Sequence, residues 1–160
     1  MEKLKFSEIV VKGAVIADLE STDRNGVIRA LVGALASAGE LEPADAEVIA
    51  KAIIQRENQG STGFGKGVAV PHVKHAKIKR IMAALGRSAG GVDFAALDRA
   101  PVYTVVLLLS PQEASEGHLQ AMECIFRHLQ RDNFRRFLRQ STTVDDILEL
   151  IREADAAPTA

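Results

Sequence analysis

Apolar residues recur along this chain at two spacings, and the alternation between them divides it into strands and helices. Ala14 to Leu19 reads as a short strand, bounded by Lys12-Gly13 and by the turn-forming Ser21-Thr22-Asp23. Val27, Ile28, Leu31, Val32 and Leu35 then fall at helical spacing, with Gly39 as the stop. Pro43 suits the first turn of a second helix, whose stripe is Val48, Ile49, Ala52 and Ile53 and which ends before Gly60. Val68-Ala69-Val70 is a short strand closed by Pro71, and Ile81 to Gly86 is another. Gly90-Gly91 and Asp98 to Pro101 supply turns. Val102 to Leu109 is apolar at every second position on both faces, the pattern of a central strand covered on both sides.

The last third is helical. Leu119, Met122, Phe126 and Leu129 share one helix face, and a short basic helix carries Phe134, Phe137 and Leu138. Thr143 and Asp146 form a capping-box-like start for a final helix with the stripe Val144, Ile147, Leu148 and Ile151. Residues 156–160, rich in Ala, Pro and Thr, read as a flexible tail. Together these elements predict an α/β fold: a single domain over residues 1–155, with a mixed central β-sheet flanked by helices on both faces.

Composition narrows the function. The chain has 160 residues, enough for one sizeable core without disulfide or metal support. Its single cysteine, Cys124, rules out an internal disulfide and fits a reducing cytoplasm. The longest apolar run is far shorter than the roughly 20 residues that cross a bilayer, so a soluble protein without membrane insertion is expected. A net charge of −1, no Trp and only 4% aromatic residues argue against a nucleic-acid surface.

The least ordinary segment is Gly60-Ser61-Thr62-Gly63-Phe64-Gly65-Lys66-Gly67, with four glycines in eight residues. It lacks the Gly-Lys-Ser/Thr ending of a nucleotide loop, and it follows a helix where such a loop follows a strand. What it offers is backbone N–H groups, including that of Gly63, and the hydroxyls of Ser61 and Thr62, a donor set suited to an anion. His72 follows directly after Pro71. Neutral imidazole is nucleophilic near pH 7 and becomes a good leaving group once phosphorylated. Arg56 stands at the end of its helix, where it can supply a fixed positive charge. On these residues alone, a turn histidine beside a glycine hairpin is the better reading of His72.

The run from Arg56 to His72, Arg-Glu-Asn-Gln-Gly-Ser-Thr-Gly-Phe-Gly-Lys-Gly-Val-Ala-Val-Pro-His, closely resembles the fructose/mannitol/nitrogen-regulatory (type 2) enzyme IIA family of the phosphoenolpyruvate-dependent phosphotransferase system. The order of elements resembles that family from about Phe6 to Asp155. The resemblance implies that His72 accepts a phosphoryl group from the phosphocarrier protein HPr, on the ring nitrogen farther from the backbone. It implies that the group then passes to a cysteine of a separate enzyme IIB, or that the phosphorylation state signals to a regulatory target. It also assigns phosphoryl-stabilising roles to His118, at the start of the helix after the central strand, and to Arg56. A helix N-terminus favours a negative phosphoryl group. No cofactor and no metal are expected: His72 and His75 have no cysteine or carboxylate at a matching spacing.

Two departures qualify the resemblance. Val73 stands where the family usually has glycine, and its side chain is expected to narrow a partner's approach. Lys74, His75, Lys77, Lys79 and Arg80 form a basic run that either is a solvated edge or selects partners by charge. Val73 keeps open a second function, a regulatory interaction module on the same fold that receives no phosphate. A small-anion-binding domain using the glycine loop is a third. Cys124 reads as a small core residue and His128 as a residue of the helix's polar face. No IIB-like or membrane segment is recognisable within these residues, so sugar uptake would call for separate partners.

Overall fold

The computed structural model describes residues 4–156. In chain order the elements are α1 (Phe6–Ile9), β1 (Val10–Ile16), α2 (Arg24–Ser37), α3 (Pro43–Gln59), β2 (Gly63–Gly65), β3 (Val68–Ala69), β4 (His72–His75), β5 (Met82–Val92), β6 (Val102–Pro111), α4 (Ser115–Leu129), α5 (Asp132–Gln140) and α6 (Val144–Ala156). One sheet runs in the order β1-β5-β6-β3-β2, and β4 continues the line of β3 along β6. Pairing is mixed: β1 is parallel to β5, β5 antiparallel to β6, and β3 and β4 both parallel to β6.

Local chemistry accounts for most boundaries. Asp23 caps α2 by accepting from the Gly26 N–H, and Gly39 at φ +83° ends that helix turn. Pro43 occupies the first turn of α3. Thr143 Oγ1 accepts from the Asp146 N–H at 3.1 Å, the capping contact that the sequence predicts for α6. β6 is buried from Val102 to Leu109 except for partly exposed Tyr103. Its odd-numbered residues Val105, Leu107 and Leu109 face a core shared with α2 and α3. Val106 and Leu108 face a second core shared with α1, α4, α5 and α6. The predicted central strand and the helices on both faces are thus present.

Four expectations are corrected. The first strand is Val10–Ile16 and not Ala14 to Leu19. Gly13 does not break it; a Cβ there would lie 3.1 Å from Ala38 Cβ, so this glycine admits the end of α2 against the strand. Gly90-Gly91 is no turn either, because β5 runs through it to Val92. Gly91, at φ +87°, accommodates a bulge against β6, where a Cβ would meet Pro101 Cβ at 2.7 Å.

The third correction concerns α4. Its core face is Ala121, Cys124, Ile125, His128 and Leu129, whereas Leu119 is 60% exposed and Met122 and Phe126 are only partly buried. The fourth follows from it: His128 is 3% exposed and not on a polar face. Its Nε2 meets Asp155 Oδ1 at 3.1 Å, and its ring stacks on Phe6 at 5.3 Å. The same carboxylate accepts the backbone N–H groups of Phe6 and Ser7, at 2.9 and 2.8 Å. Burial alone would raise the Asp155 carboxyl, but the bonds from Ser7, His128 and Phe6 outweigh it and hold the group below its ordinary value. Asp155 therefore ties the start of the described chain to its last helix. Cys124 is in the core as expected, with burial pushing its thiol up to about 11. The expected tail begins at Ala156, which is still helical; 157–160 lie outside the described residues.

Candidate phosphoryl-transfer site

β3 ends at Ala69, and Pro71 closes the gap before β4 begins at His72. The Leu108 N–H donates to the Pro71 carbonyl at 2.9 Å, so the parallel pairing with β6 survives the proline. His72 then pairs with Leu108 and Val73 with Leu109. Paired residues on parallel strands point to the same face. His72 therefore faces the α4 side, and Val73 packs into the core of α2 and α3.

The ring of His72 is held by one decisive contact. Its Nδ1 lies 2.7 Å from the Val70 carbonyl oxygen. A carbonyl can only accept, so Nδ1 carries the hydrogen and Nε2 keeps its lone pair. Burial lowers the pKa of His72, and the Arg56 charge lowers it further; the Val70 bond and Glu57 act the other way without reversing the shift. A neutral imidazole with a free Nε2 is a nucleophile at neutral pH.

His118 lies in the first turn of α4, and its ring centroid is 5.4 Å from that of His72. Its Nδ1 is 2.7 Å from Oγ of Ser110, a fully buried residue at the end of β6. Burial, followed by the charges of His72 and Lys74, pushes the His118 pKa down to about 4. Lys74 reaches across from β4, with Nζ donating to Ser115 Oγ at 3.0 Å. Both rings open onto a cleft of about 850 Å³ whose apolar wall is Leu119, Met122 and Phe126. These are three of the four residues that the sequence places on one apolar face of this helix, the fourth being buried Leu129. Ser110 and Lys74 are the contributors that sequence reasoning misses as site residues; only their nearness in space to His118 and Ser115 reveals them.

Arg56, in the last turn of α3, donates from Nη1 to the Gly60 carbonyl at 2.9 Å and lies close enough to His72 to depress its pKa. The glycine loop differs from expectation. The Thr62 N–H donates to Glu57 Oε2 at 3.1 Å, and its hydroxyl donates to Oε1 of the same buried carboxylate. The Ser61 hydroxyl donates to the Phe94 carbonyl, and the Gly63 N–H donates to Ser61 Oγ at 2.9 Å. All three expected phosphate donors are thus spent inside the loop. In the structure these donors shape the loop, and Thr62 satisfies the buried Glu57 carboxylate, which would be costly without partners. The turn of the β2–β3 hairpin places Gly65, Lys66 and Gly67 at φ +103°, +61° and +78°, which accounts for its glycine content.

Val73 does not narrow the approach to His72, since it lies on the opposite face of β4. His75 accepts the Lys77 N–H at 3.1 Å and serves the turn after β4. In the basic run, Arg80 is paired with Glu40, and Lys77 and Lys79 are exposed. No helix among the described residues is long and apolar enough to cross a membrane.

Comparison with known proteins places this geometry. Residues 8–154 match the model of the family described as phosphoenolpyruvate-dependent sugar phosphotransferase system, EIIA 2. The fructose-specific EIIABC component of Bacillus subtilis is 34% identical over 95% of this chain, which spans 24% of that longer protein. A nitrogen regulatory protein of Pseudomonas aeruginosa is 30% identical, over 92% of this chain and 95% of its own length. The crystal structure of nitrogen regulatory protein IIA-Ntr from Neisseria meningitidis superposes with a TM-score of 0.80 at 27% identity, covering 91% of this chain and 97% of that one. The shared fold and the match over nearly the whole chain agree: this protein belongs to the EIIA type 2 family of the phosphoenolpyruvate-dependent sugar phosphotransferase system.

Proposed function

We propose that this protein is a phosphocarrier that accepts a phosphoryl group on Nε2 of His72. The supporting observation is the 2.7 Å contact from Nδ1 to the Val70 carbonyl, which leaves Nε2 as the nucleophilic nitrogen on the open side of the site. The lone pair on Nε2 attacks phosphorus in line, the P–N bond to the donor's imidazole breaks, and that imidazole recovers its electron pair. HPr is the proposed donor. The recipient is the cysteine thiolate of a separate enzyme IIB, or else a regulatory target reads the phosphorylation state.

Charge on the transferred group is met by His118, Arg56 and Lys74. With the Ser110 hydroxyl donating to Nδ1 of His118, the ring hydrogen sits on Nε2, where it can bond a phosphoryl oxygen. The rival function, a module that receives no phosphate, rested on Val73. Its side chain packs away from the site, which removes the ground for it. A site opening to solvent and a phosphotransferase partner set fit a cytoplasmic location.

The test is incubation with phosphoenolpyruvate, enzyme I and HPr, followed by intact mass and acid lability of the added group. One acid-labile phosphoryl group is expected on the native chain and none on His72→Ala. An unlabelled native chain, beside a related EIIA labelled in parallel, would overturn the proposal; label persisting in His72→Ala would move the acceptor elsewhere.

A further inference from the structure

The basic helix α5 is not used by phosphoryl transfer. It lines a cleft of about 450 Å³ with Arg135, Arg136, Arg139 and Lys66 around a single carboxylate, Asp132. Asp98 is the other acidic group nearby, and it is engaged by the backbone N–H groups of Lys66 and Ala100. Arg135 is tied down: Nη1 donates to the Leu129 carbonyl at 2.7 Å, and Nη2 pairs with Asp132. Among the described residues, Lys66, Arg136 and Arg139 form no ion pair. Against the four cations of the cleft stand only the carboxylates of Asp132 and Asp98, so the surface carries a positive excess.

Arg139 is also held in place. Its guanidinium lies 3.7 Å over the Tyr103 ring, and its backbone carbonyl accepts from Arg87 Nε at 2.9 Å. The Tyr103 ring is in turn seated on Gly67 and Gly91, where a Cβ would come within 3.2 Å of it. A stacked guanidinium keeps its edge N–H donors free for a carboxylate. Next to it Phe137 is 45% exposed, with the Arg136 guanidinium 5.3 Å from its ring centroid. Exposed aromatics beside arginines are the residues that carry binding energy at protein interfaces.

The cleft lies away from His72. Lys66 adjoins Gly67, whose carbonyl accepts from Tyr103 and Thr104, whereas His72 pairs with Leu108. Five residues along β6 amount to about 16 Å. We propose that the α5 face is a second docking surface, for an acidic segment of a protein partner, and that it can be occupied while His72 is engaged. The positive excess selects the acidic segment, and Phe137 supplies an apolar anchor beside it.

A fluorescein-labelled 12-residue peptide of glutamates with one central leucine serves as the probe, read by anisotropy and by amide shifts of the full chain. Saturable binding is expected, with shifts confined to Lys66, Tyr103 and α5, and equal affinity before and after phosphorylation of His72. Arg136→Gln with Arg139→Gln should weaken it at least tenfold and Phe137→Ala several-fold, with phosphoryl acceptance unchanged. Absence of saturation at millimolar peptide, unaltered affinity in the double variant, or shifts centred on His72 and His118 would overturn the proposal. Tighter binding of a DNA duplex or of pyrophosphate at matched ionic strength would also overturn it, by assigning the surface to another class of ligand. Retained amide dispersion in each variant separates lost binding from lost folding.

Discussion

Phosphorylation of His72 should move the pKa of His118 upward by about two units. In the free protein His118 sits at about 4, held down by burial and by the neighbouring positive charges of His72 and Lys74. A phosphoryl group on Nε2 of His72 would lie between two rings whose centroids are 5.4 Å apart. At ~5 Å and an effective dielectric constant of ~20, each negative charge favours imidazolium by about 3 kcal/mol. The group carries nearly two charges, and solvent entering the cleft screens roughly half of the effect, leaving about 3 kcal/mol, or two pKa units. His118 should then titrate near pH 6. The sign follows from linkage: the phosphorylated state binds more protons and gains stability as pH falls. Relative to His118→Gln, the equilibrium population of phosphoprotein should rise about tenfold between pH ~7.5 and pH ~5. Long-range proton–nitrogen NMR of the histidine rings reads both quantities. A His118 pKa that stays near 4 after phosphorylation, or falls, would refute the electrostatic role of this ring.

Asp155→Asn should remove charge-assisted bonds to Phe6, Ser7 and His128 and cost roughly 3 kcal/mol, a loss of about 6–12 °C in Tm. Because the Asp155 pKa is depressed in the fold, the gap from wild type should be full above pH ~4 and close as pH falls through the folded pKa; a gap that is constant down to pH ~2 would contradict this. Val73→Gly should destabilise by about 1–2 kcal/mol through lost packing and added chain entropy while changing the transfer rate less than twofold. A large rate gain there would restore the idea that Val73 obstructs the site. Lys77→Ala with Lys79→Ala should slow HPr-dependent transfer at low salt and not at high salt; equal rates at every ionic strength would leave these lysines as plain surface.

The elements most legible in the sequence are those whose cause is local. Val102 to Leu109 announces a strand buried on both faces, and the Thr143 cap and Pro43 mark helix starts by contacts within one turn. Misplaced features depend on partners far along the chain. Gly13 and Gly91 look like punctuation, but their reasons are Ala38 and Pro101. His128 looks polar until Asp155, 27 residues on, is packed against it. On α4 two apolar stripes compete, and periodicity favours the larger side chains. The core instead takes Ala121, Cys124, Ile125 and Leu129, and Leu119, Met122 and Phe126 line the cleft beside His72. Ser61 and Thr62 carry the right chemistry for phosphate, yet the buried carboxylate of Glu57 and the Phe94 carbonyl claim their hydroxyls first.

That last competition explains how the site can be both rigid and open. A loop whose donors turned to an anion would take the Thr62 bonds away from the buried Glu57 carboxylate, a costly loss. With Thr62 bonded to Glu57 and Ser61 closing on Phe94, the loop is fixed by its own contacts. The groups left to meet the arriving charge are His118 and Lys74, beside α4, and Arg56 at the end of α3. Each has a protein partner in the structure, so on the proposed function the site is assembled before a donor arrives. A carrier must release the group as readily as it takes it, and a full ring of buried donors would bind phosphate too tightly for onward transfer. On the proposed function, a few partly exposed cationic and imidazole groups around one free Nε2 would hold it only moderately.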